Sequence, residues 1–363
     1  MKLLIGADLV PTPISEPLFV AGDTEKILGD FLPMIGAADR FIVNLECALT
    51  DADTPIRKCG PNLKASPACA DTLKKLGVTD VMLSNNHTLD FGTKGLRDTM
   101  ANLDRVGIPY TGVGENDTDS RKIYYFELKG RKFAIVNVCE HEYCYALPNR
   151  LGTNPYDPYL TMHDIREAKK NADTVIVIYH GGKEYCRYPS PRLRLLCHEM
   201  VECGADVVIT QHSHCIGCYE TWEGGHILYG QGNLHFVSKS YQEGWFTSLL
   251  VELDIDDNGK ITFHYYPMVM NLDEVSVKLA KGDEAKAIMD GFYARCEELK
   301  NGKWMDGWKA FCQTTTYYLN MPKNAYKPES TEQQNELFAH FLDCEAHEDV
   351  LRELFQTWHK TLR

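Results

Sequence analysis

Six apolar runs in this chain each lead into a residue that can bind a metal ion or move a proton. Asp8 follows Leu3–Ile5, Glu46 follows FIVN, and Asn85, Asn86 and His87 follow VMLS. His180 follows VIVIY, His212 and His214 follow VVIT, and Asn233 follows ILY. One histidine after one strand means little. Six such ends are hard to explain as core filling, because a polar group buried without a partner is costly. Imidazole, carboxylate and amide oxygen together suit a borderline transition metal such as Zn, Mn or Fe. A carboxylate can bridge two ions, and the rings of a His-x-His turn can go to different ions. The chemistry expected is hydrolysis assisted by one or two divalent ions.

These groups need strands to carry them. Short runs rich in Val, Ile and Leu predict strands at Leu3–Ile5, Phe41–Asn44, Val81–Ser84, Phe133–Val138, Thr174–Tyr179, Val207–Thr210 and His226–Tyr229. Apolar residues at three- and four-residue spacing predict helices over Glu25–Ile35, Pro67–Leu76, Thr93–Val106, Met162–Lys170 and Pro191–Cys203. Gly77, Gly107 and Gly204 supply C-terminal stops for three of them. This alternation implies an α/β layered fold with a largely parallel sheet. In such folds the ligand site lies beyond the carboxyl ends of the strands, where residues distant in sequence converge.

From Phe246 the texture changes. FTSLLVELDIDDNGKITFHYYPMVM reads as a hairpin around an Asp-Asp-Asn-Gly turn. After about Asp273 the chain turns helical and polar, with helices predicted over Glu284–Lys300, Trp304–Thr316 and Glu332–Arg363. They show no constellation of metal ligands in sequence. Residues 1–272 are therefore expected to carry the site, and 273–363 to form a C-terminal helical appendage.

Composition narrows the function. With 363 residues and 44% hydrophobic content, the chain can build a large core. A formal net charge of −13 argues against non-specific nucleic-acid binding, which needs clustered Lys and Arg. An anionic substrate would be drawn in only where bound metal reverses the local field. No stretch approaches the roughly 20 apolar residues of a membrane helix. The opening MKLLIGADLVPTP carries too short an apolar run for a secretory signal, so a cytoplasmic location is expected. The 13 cysteines are then expected to be reduced.

The segments GAD, NLE, SNNHTLDFG, YHGGKEY, GADVVITQHSH and LYGQGNLHF, in this order, resemble the bacterial capsule-synthesis CapA family, the poly-γ-glutamate-associated proteins. The resemblance covers roughly residues 1–240. It implies a metallophosphatase-like (calcineurin-like) fold: a layered β-sandwich flanked by helices, with a metal site at the strand ends. It implies Asp8 as the first metal-binding aspartate and Glu46 as the bridging carboxylate, where phosphoesterases usually have Asp. Asn86 would be the amide ligand, His180 the lone histidine ligand, and His212 and His214 the pair with one ring for each ion. His87 would stabilise developing charge or protonate the leaving group. Val10 stands where metallophosphoesterases usually have the histidine of Asp-x-His, which removes a ligand from one of the two positions. Three settings fit the resemblance: a phosphoesterase-like hydrolase, a γ-glutamyl amide hydrolase on the same metal, and a non-catalytic accessory subunit of a polymer synthesis or export complex.

The remaining residues read as follows. Glu184 and Tyr185 either cover the rim of the site or contact substrate. Asn233 is expected near substrate or holding the ligand loop by hydrogen bonds, with Gly230 and Gly232 allowing close backbone approach. His141 and Glu142 stand near the same mouth with their roles open. Cys215 and Cys218 form a CxxC, but no second pair completes a four-ligand zinc site, so packed thiols are expected.

Overall fold

The computed structural model describes every residue except 240, 241, 243, 362 and 363, and describes the backbone alone for 357–361. Its strands fall mainly into two mixed sheets. The larger, of eight strands, runs Ser276–Leu279, Ile261–Asn271, Thr247–Ile255, Lys2–Leu9, Arg40–Leu45, Asp80–Met82 and Tyr110–Thr111, with Asn233–His235 also paired to Lys2–Leu9. The second, of six strands, runs Ile216–Trp222, Gly225–Gln231, Val207–Gln211, Thr174–His180, Arg131–Cys139 and Tyr124–Leu128. In both, the strands that carry the candidate residues are parallel to one another. In the second sheet the antiparallel pairings lie at the two edges, and in the first they fill one half, up to the pairing of Thr247–Ile255 with Lys2–Leu9. The expected parallel strands thus fall in two packed sheets, the layered β-sandwich flanked by helices that the resemblance implies.

Side-chain alternation along each strand builds three layers of core. Leu3, Ile5 and Ile42 of the first sheet meet Ile135, Ile176, Ile178 and Ile209 of the second in one buried cluster. On the outer face of the first sheet, Leu4 and Val43 pack with Phe19, Ile27 and Leu73 from the N-terminal helices. On the outer face of the second, Val136, Val175 and Val177 pack with Ile165 and Leu196. A strand covered on both faces reads as continuously apolar, which is why these runs lack a polar alternation.

The hairpin forms as expected, with Ile255 opposite Ile261, and the Asp256 carboxylate accepts the backbone N–H groups of Asn258 and Lys260, each at 2.9 Å. Two expected helices are broken. The stretch 25–35 divides into Thr24–Leu28, a tight turn Gly29–Phe31 and Leu32–Ala37. Pro33 lacks the N–H an interior position needs, but it fits the first turn of a new helix. The last helix divides into Glu332–Asp343 and Glu345–Thr361, because Cys344 is extended with ψ 122. Residues 362 and 363 of that expected helix lie outside the described residues.

The C-terminal helices pack onto the sandwich. Trp304, Trp308, Tyr318, Phe341, Val350 and Leu354 join the outer core of the second sheet. Phe292 reaches the central layer, and Arg295 donates to the Gly217 carbonyl at 2.9 Å. Each large apolar side chain buried this way contributes about 1.5–3 kcal/mol relative to exposure. Among the described residues, no helix is long and apolar enough to cross a membrane.

Candidate metal centre

Register brings the strand ends together. Asp8 lies opposite both Asn44 and Asn233, and its strand is irregular on either side of it. His180 and Gln211 are paired at the end of the second sheet, so His212 begins where His180 ends. Asp8, Glu46, Asn86, His180, His212 and His214 are all buried. Ligand atoms of Asp8, Glu46 and His180 lie within 4.8 Å of one another, and so do those of Glu46, His212 and His214. Glu46 is common to both groups. Asn86 joins them through Oδ1, 3.0 Å from His180 Nε2.

Each ligand candidate is held from behind. Asp8 Oδ1 accepts from the Asn44 amide at 2.7 Å, and Oδ2 accepts from the His212 backbone N–H at 3.3 Å. Asn44 also lies 3.0 Å from His180 Nδ1 and accepts from the Asn85 amide at 3.0 Å. His180 Nε2 faces His212 Nδ1 at 3.1 Å and Glu46 Oε1 at 3.3 Å. His214 Nδ1 lies 2.8 Å from the Asn233 carboxamide oxygen, which leaves Nε2 toward Glu46 at 3.9 Å. The far nitrogen of His212 points to carboxylates, 3.5 Å from Glu142 and 3.6 Å from Glu140. Ligating histidines are commonly fixed in this way through their second nitrogen.

The His-x-His turn is strained. His212 has φ 85 and His214 φ 53, and Tyr185, whose N–H donates to the Ser213 carbonyl at 2.8 Å, has φ 64. Left-handed backbone at bulky residues costs on the order of 1–3 kcal/mol each and concentrates at functional sites. Gly230 makes room beneath this turn: it has φ 83, and a Cβ there would stand 2.5 Å from Ser213 Oγ.

Burial and charge set the protonation of the centre. Burial pushes His180 down to about 4 and His212 down to about 3, which favours the neutral imidazole a metal needs. Burial acts the same way on His214, but Glu46 and Asp8 overcome it and raise it to about 9. Burial opposes the Asp8 carboxylate too, yet His214, His180 and Asn44 hold it down to about 2. Glu46 is raised well above the ordinary carboxylate range, first by burial and then by the charge of Asp8. Both Glu46 carboxylate oxygens are buried and accept no hydrogen bond. A carboxylate in that condition is costly without a cation, so the donor set fits a divalent ion.

The other expected residues are placed as follows. His87 sits beside the ligands with Nδ1 2.6 Å from Asp90, and Lys58 joins the pair at 2.6 Å from Asp90 and 3.1 Å from His87. Burial and the Lys58 charge lower the His87 pKa. Glu184, 38% exposed, lines a cavity of about 310 Å³ beside Asn86, His87 and Lys183. Tyr185 leans 6.1 Å from Trp245, within the outer core of the first sheet. Asn233 is fully buried, its carboxamide oxygen lies against His214 Nδ1, and it is not among the residues that line the cavity. Val10 is core, and its N–H donates to the His235 carbonyl at 2.8 Å. His235 turns its ring edge-on to Phe19, away from the centre. Cys215 and Cys218 are buried free thiols.

Several residues at the centre lie outside the expected set. Asn44 ties Asp8 to His180. Glu140 follows the strand Arg131–Cys139 and obeys the same strand-end rule as the ligand candidates. Of the undecided pair, Glu142 faces His212, while His141 turns away to Glu345 at 2.7 Å. His340, Phe341 and His347 close the cavity from the C-terminal helices, which no strand-end pattern could indicate.

The chain is similar to proteins named for capsule and PGA biosynthesis. Capsule biosynthesis protein CapA of Bacillus anthracis is 32% identical over 226 residues, covering 60% of this chain and 53% of that protein. PGA biosynthesis protein CapA of Bacillus subtilis (strain 168) is 29% identical over 266 residues, covering 70% of this chain and 67% of that protein. The match thus spans about half the length of the first relative. A solved structure of a hypothetical protein from Thermus thermophilus aligns with a TM-score of 0.46 at 15% identity, covering 74% of this chain and 98% of that one. The family model described as bacterial capsule synthesis protein PGA_cap matches residues 8–238, a span that holds all six candidate ligands, and the chain belongs to that family.

Proposed function

We propose that this chain is a metal-dependent hydrolase whose centre holds one or two divalent ions, Mn, Zn or Fe, through Asp8, Glu46, Asn86, His180, His212 and His214. The carrying observation is Glu46, whose two buried oxygens accept no hydrogen bond and stand where the two ligand groups meet. A divalent ion held there supplies Lewis acidity toward a phosphoryl or carbonyl oxygen and makes water a better nucleophile near neutral pH. The chain's own residues do the rest. Asn44, Asn233 and the Glu140–Glu142 carboxylates orient the ligands. His87 Nδ1 is committed to Asp90, so in the neutral ring Nε2 is the atom free to take up a proton on the cavity side. Half-exposed Glu184 and buried Lys183 border the space a substrate enters.

The substrate belongs to the anions, as a small molecule or a polymer, because an otherwise acidic chain gains its attraction for anions from the bound ion. The setting is capsule or poly-γ-glutamate synthesis, carried over from the names of the relatives. Those names also favour a second reading, cleavage of a γ-glutamyl amide on the same ion. A further relative, from Mycobacterium tuberculosis, is named a probable polyglutamine synthesis accessory protein, which keeps a non-catalytic role as the alternative. Purified protein loaded with Mn or Zn should be assayed on p-nitrophenyl phosphate mono- and diesters and on γ-glutamyl p-nitroanilide. Turnover that disappears in His212→Ala together with the bound metal supports hydrolysis, and the substrate turned over separates the two enzyme readings. Stoichiometric metal with no turnover of either class favours the accessory role.

A further inference from the structure

The charges around the centre do not balance. Asp8, Glu46 and Glu140 are almost completely buried, and the Glu142 side chain is 12% exposed. The cations nearby already have carboxylates of their own. Lys58 is paired with Asp90 at 2.6 Å, Arg192 with Asp349 at 3.0 Å, His141 with Glu345 at 2.7 Å, and Lys183 reaches Glu184 at 3.4 Å. Asp8 accepts from the Asn44 amide and the His212 backbone N–H, and Glu140 from the Gly182 backbone N–H, while the imidazoles of His180, His212, His214 and His340 face the four carboxylates. A surplus of buried negative charge is stable only with protons or added cations.

Glu142 has other neighbours that suit a cation. Its Oε1 lies 3.3 Å from His340 Nε2, and its Oε2 is buried without a hydrogen-bond partner. Ligand atoms of Glu142, His340 and His347 all lie within 4.8 Å of one another. Both rings are fixed from behind. His347 Nδ1 is 2.6 Å from the Tyr318 hydroxyl, and the His340 ring stacks on Tyr143 with centroids 4.7 Å apart. His340 ends one helix and His347 begins the next, so the break at Cys344 brings the two rings to one place. Two oriented imidazoles and one carboxylate beside a cavity form the donor set of a zinc site with an open position.

We propose that Glu142, His340 and His347 form a further divalent-cation site of the zinc type, added to the strand-end centre by the C-terminal helices. His340 and His347 lie on helices outside residues 8–238, while Glu142 lies within that span, so the site joins the C-terminal helices to the family region. Glu142 also stands 3.5 Å from His212, so its carboxylate couples the two positions.

The test is crystallographic, on the full chain soaked in zinc chloride, with diffraction data on both sides of the zinc edge. Anomalous density among Glu142, His340 and His347 is the expected result. Density at the strand-end ligands and none here overturns the site and leaves the strand-end centre standing. Density here and none at the strand ends supports the site and overturns that centre. Zinc counted per chain after dialysis should also fall by one in the double variant His340→Gln, His347→Gln, while Glu46→Gln keeps that ion. An unchanged count in a folded double variant overturns the proposal. If the double variant does not fold, the anomalous map of the wild-type protein decides alone.

Discussion

His214 and Asn233 are joined at 2.8 Å, imidazole Nδ1 to carboxamide oxygen, with both side chains buried. The pair fixes which ring nitrogen of His214 is left for a metal. Asn233→Ala should therefore weaken zinc affinity by about 10–100-fold, the usual effect of losing such a support. Asn233→Asp keeps an acceptor at the same place and should recover most of the loss. Competition against a chromophoric chelator reads this directly. Equal affinity in the alanine variant would remove Asn233 from the site.

Glu46 makes a prediction that reverses with metal. Its carboxylate is buried with no hydrogen bond, so burial penalises its charge when no cation is near. In the presence of a chelator, Glu46→Gln should melt at the same temperature as the wild-type chain or higher. With zinc at 100 times its dissociation constant, binding adds about 2.7 kcal/mol to the wild type and much less to the variant. The order of melting temperatures should then invert. Thermal melts in both conditions check it, and a variant less stable in both would show that Glu46 stabilises the fold without metal.

Strand ends made most of the centre legible. Asp8, Glu46, Asn86, His180, His212 and His214 each follow an apolar run, and parallel pairing brings such ends to one rim whatever their distance in sequence. The same rule reaches Glu140, yet in Cys-Glu-His-Glu the side chain that turns inward depends on the backbone after the strand. There Glu142 meets His212 while His141 meets Glu345. His340 and His347 were beyond reach, because they lie on amphipathic helices and meet only through the interruption at Cys344. Apolar periodicity continues through that break, as it does through Pro33, and so predicts one helix where the chain forms two. The division into two sheets came from the family resemblance and not from periodicity, because strands covered on both faces give the same apolar runs in one sheet or two.

Gly230 supports the strained histidine turn from below. Its φ of 83 is unfavourable for any residue with a Cβ, and that Cβ would stand 2.5 Å from Ser213 Oγ and 3.0 Å from the Cys215 carbonyl. Gly230→Ala should cost about 1–3 kcal/mol of stability. It should also lower metal affinity, because Ser213 lies between the two histidines. Denaturant unfolding and zinc titration measure the two effects. A stable variant with weakened zinc binding would place the strain in the turn alone, whereas no change in either would show that the turn is not fitted to Gly230.

Glu220 ties the helix Pro191–Glu202 to the second sheet. It accepts from Arg194 at 3.0 and 2.7 Å, lies 2.8 Å from His198 Nε2, and accepts from the Tyr229 hydroxyl at 2.9 Å. Burial works to raise its pKa, but Arg194, His198 and Tyr229 overcome it and hold the carboxylate below its ordinary value. A carboxylate whose pKa is lower in the folded chain stabilises the fold above the unfolded value of about 4.3, and loses that contribution as pH falls through the folded value. Glu220→Gln should therefore be less stable than the wild type by about 1–3 kcal/mol at pH 7. The difference should shrink as the pH drops below about 4.3, where the unfolded chain takes up a proton, and be lost below the folded value, where the folded carboxylate is protonated as well. Urea unfolding of both proteins across pH 3 to 7 follows the difference. A gap that stays constant over that range would mean that the charge of Glu220 contributes nothing, and that the three donors are held by its shape alone.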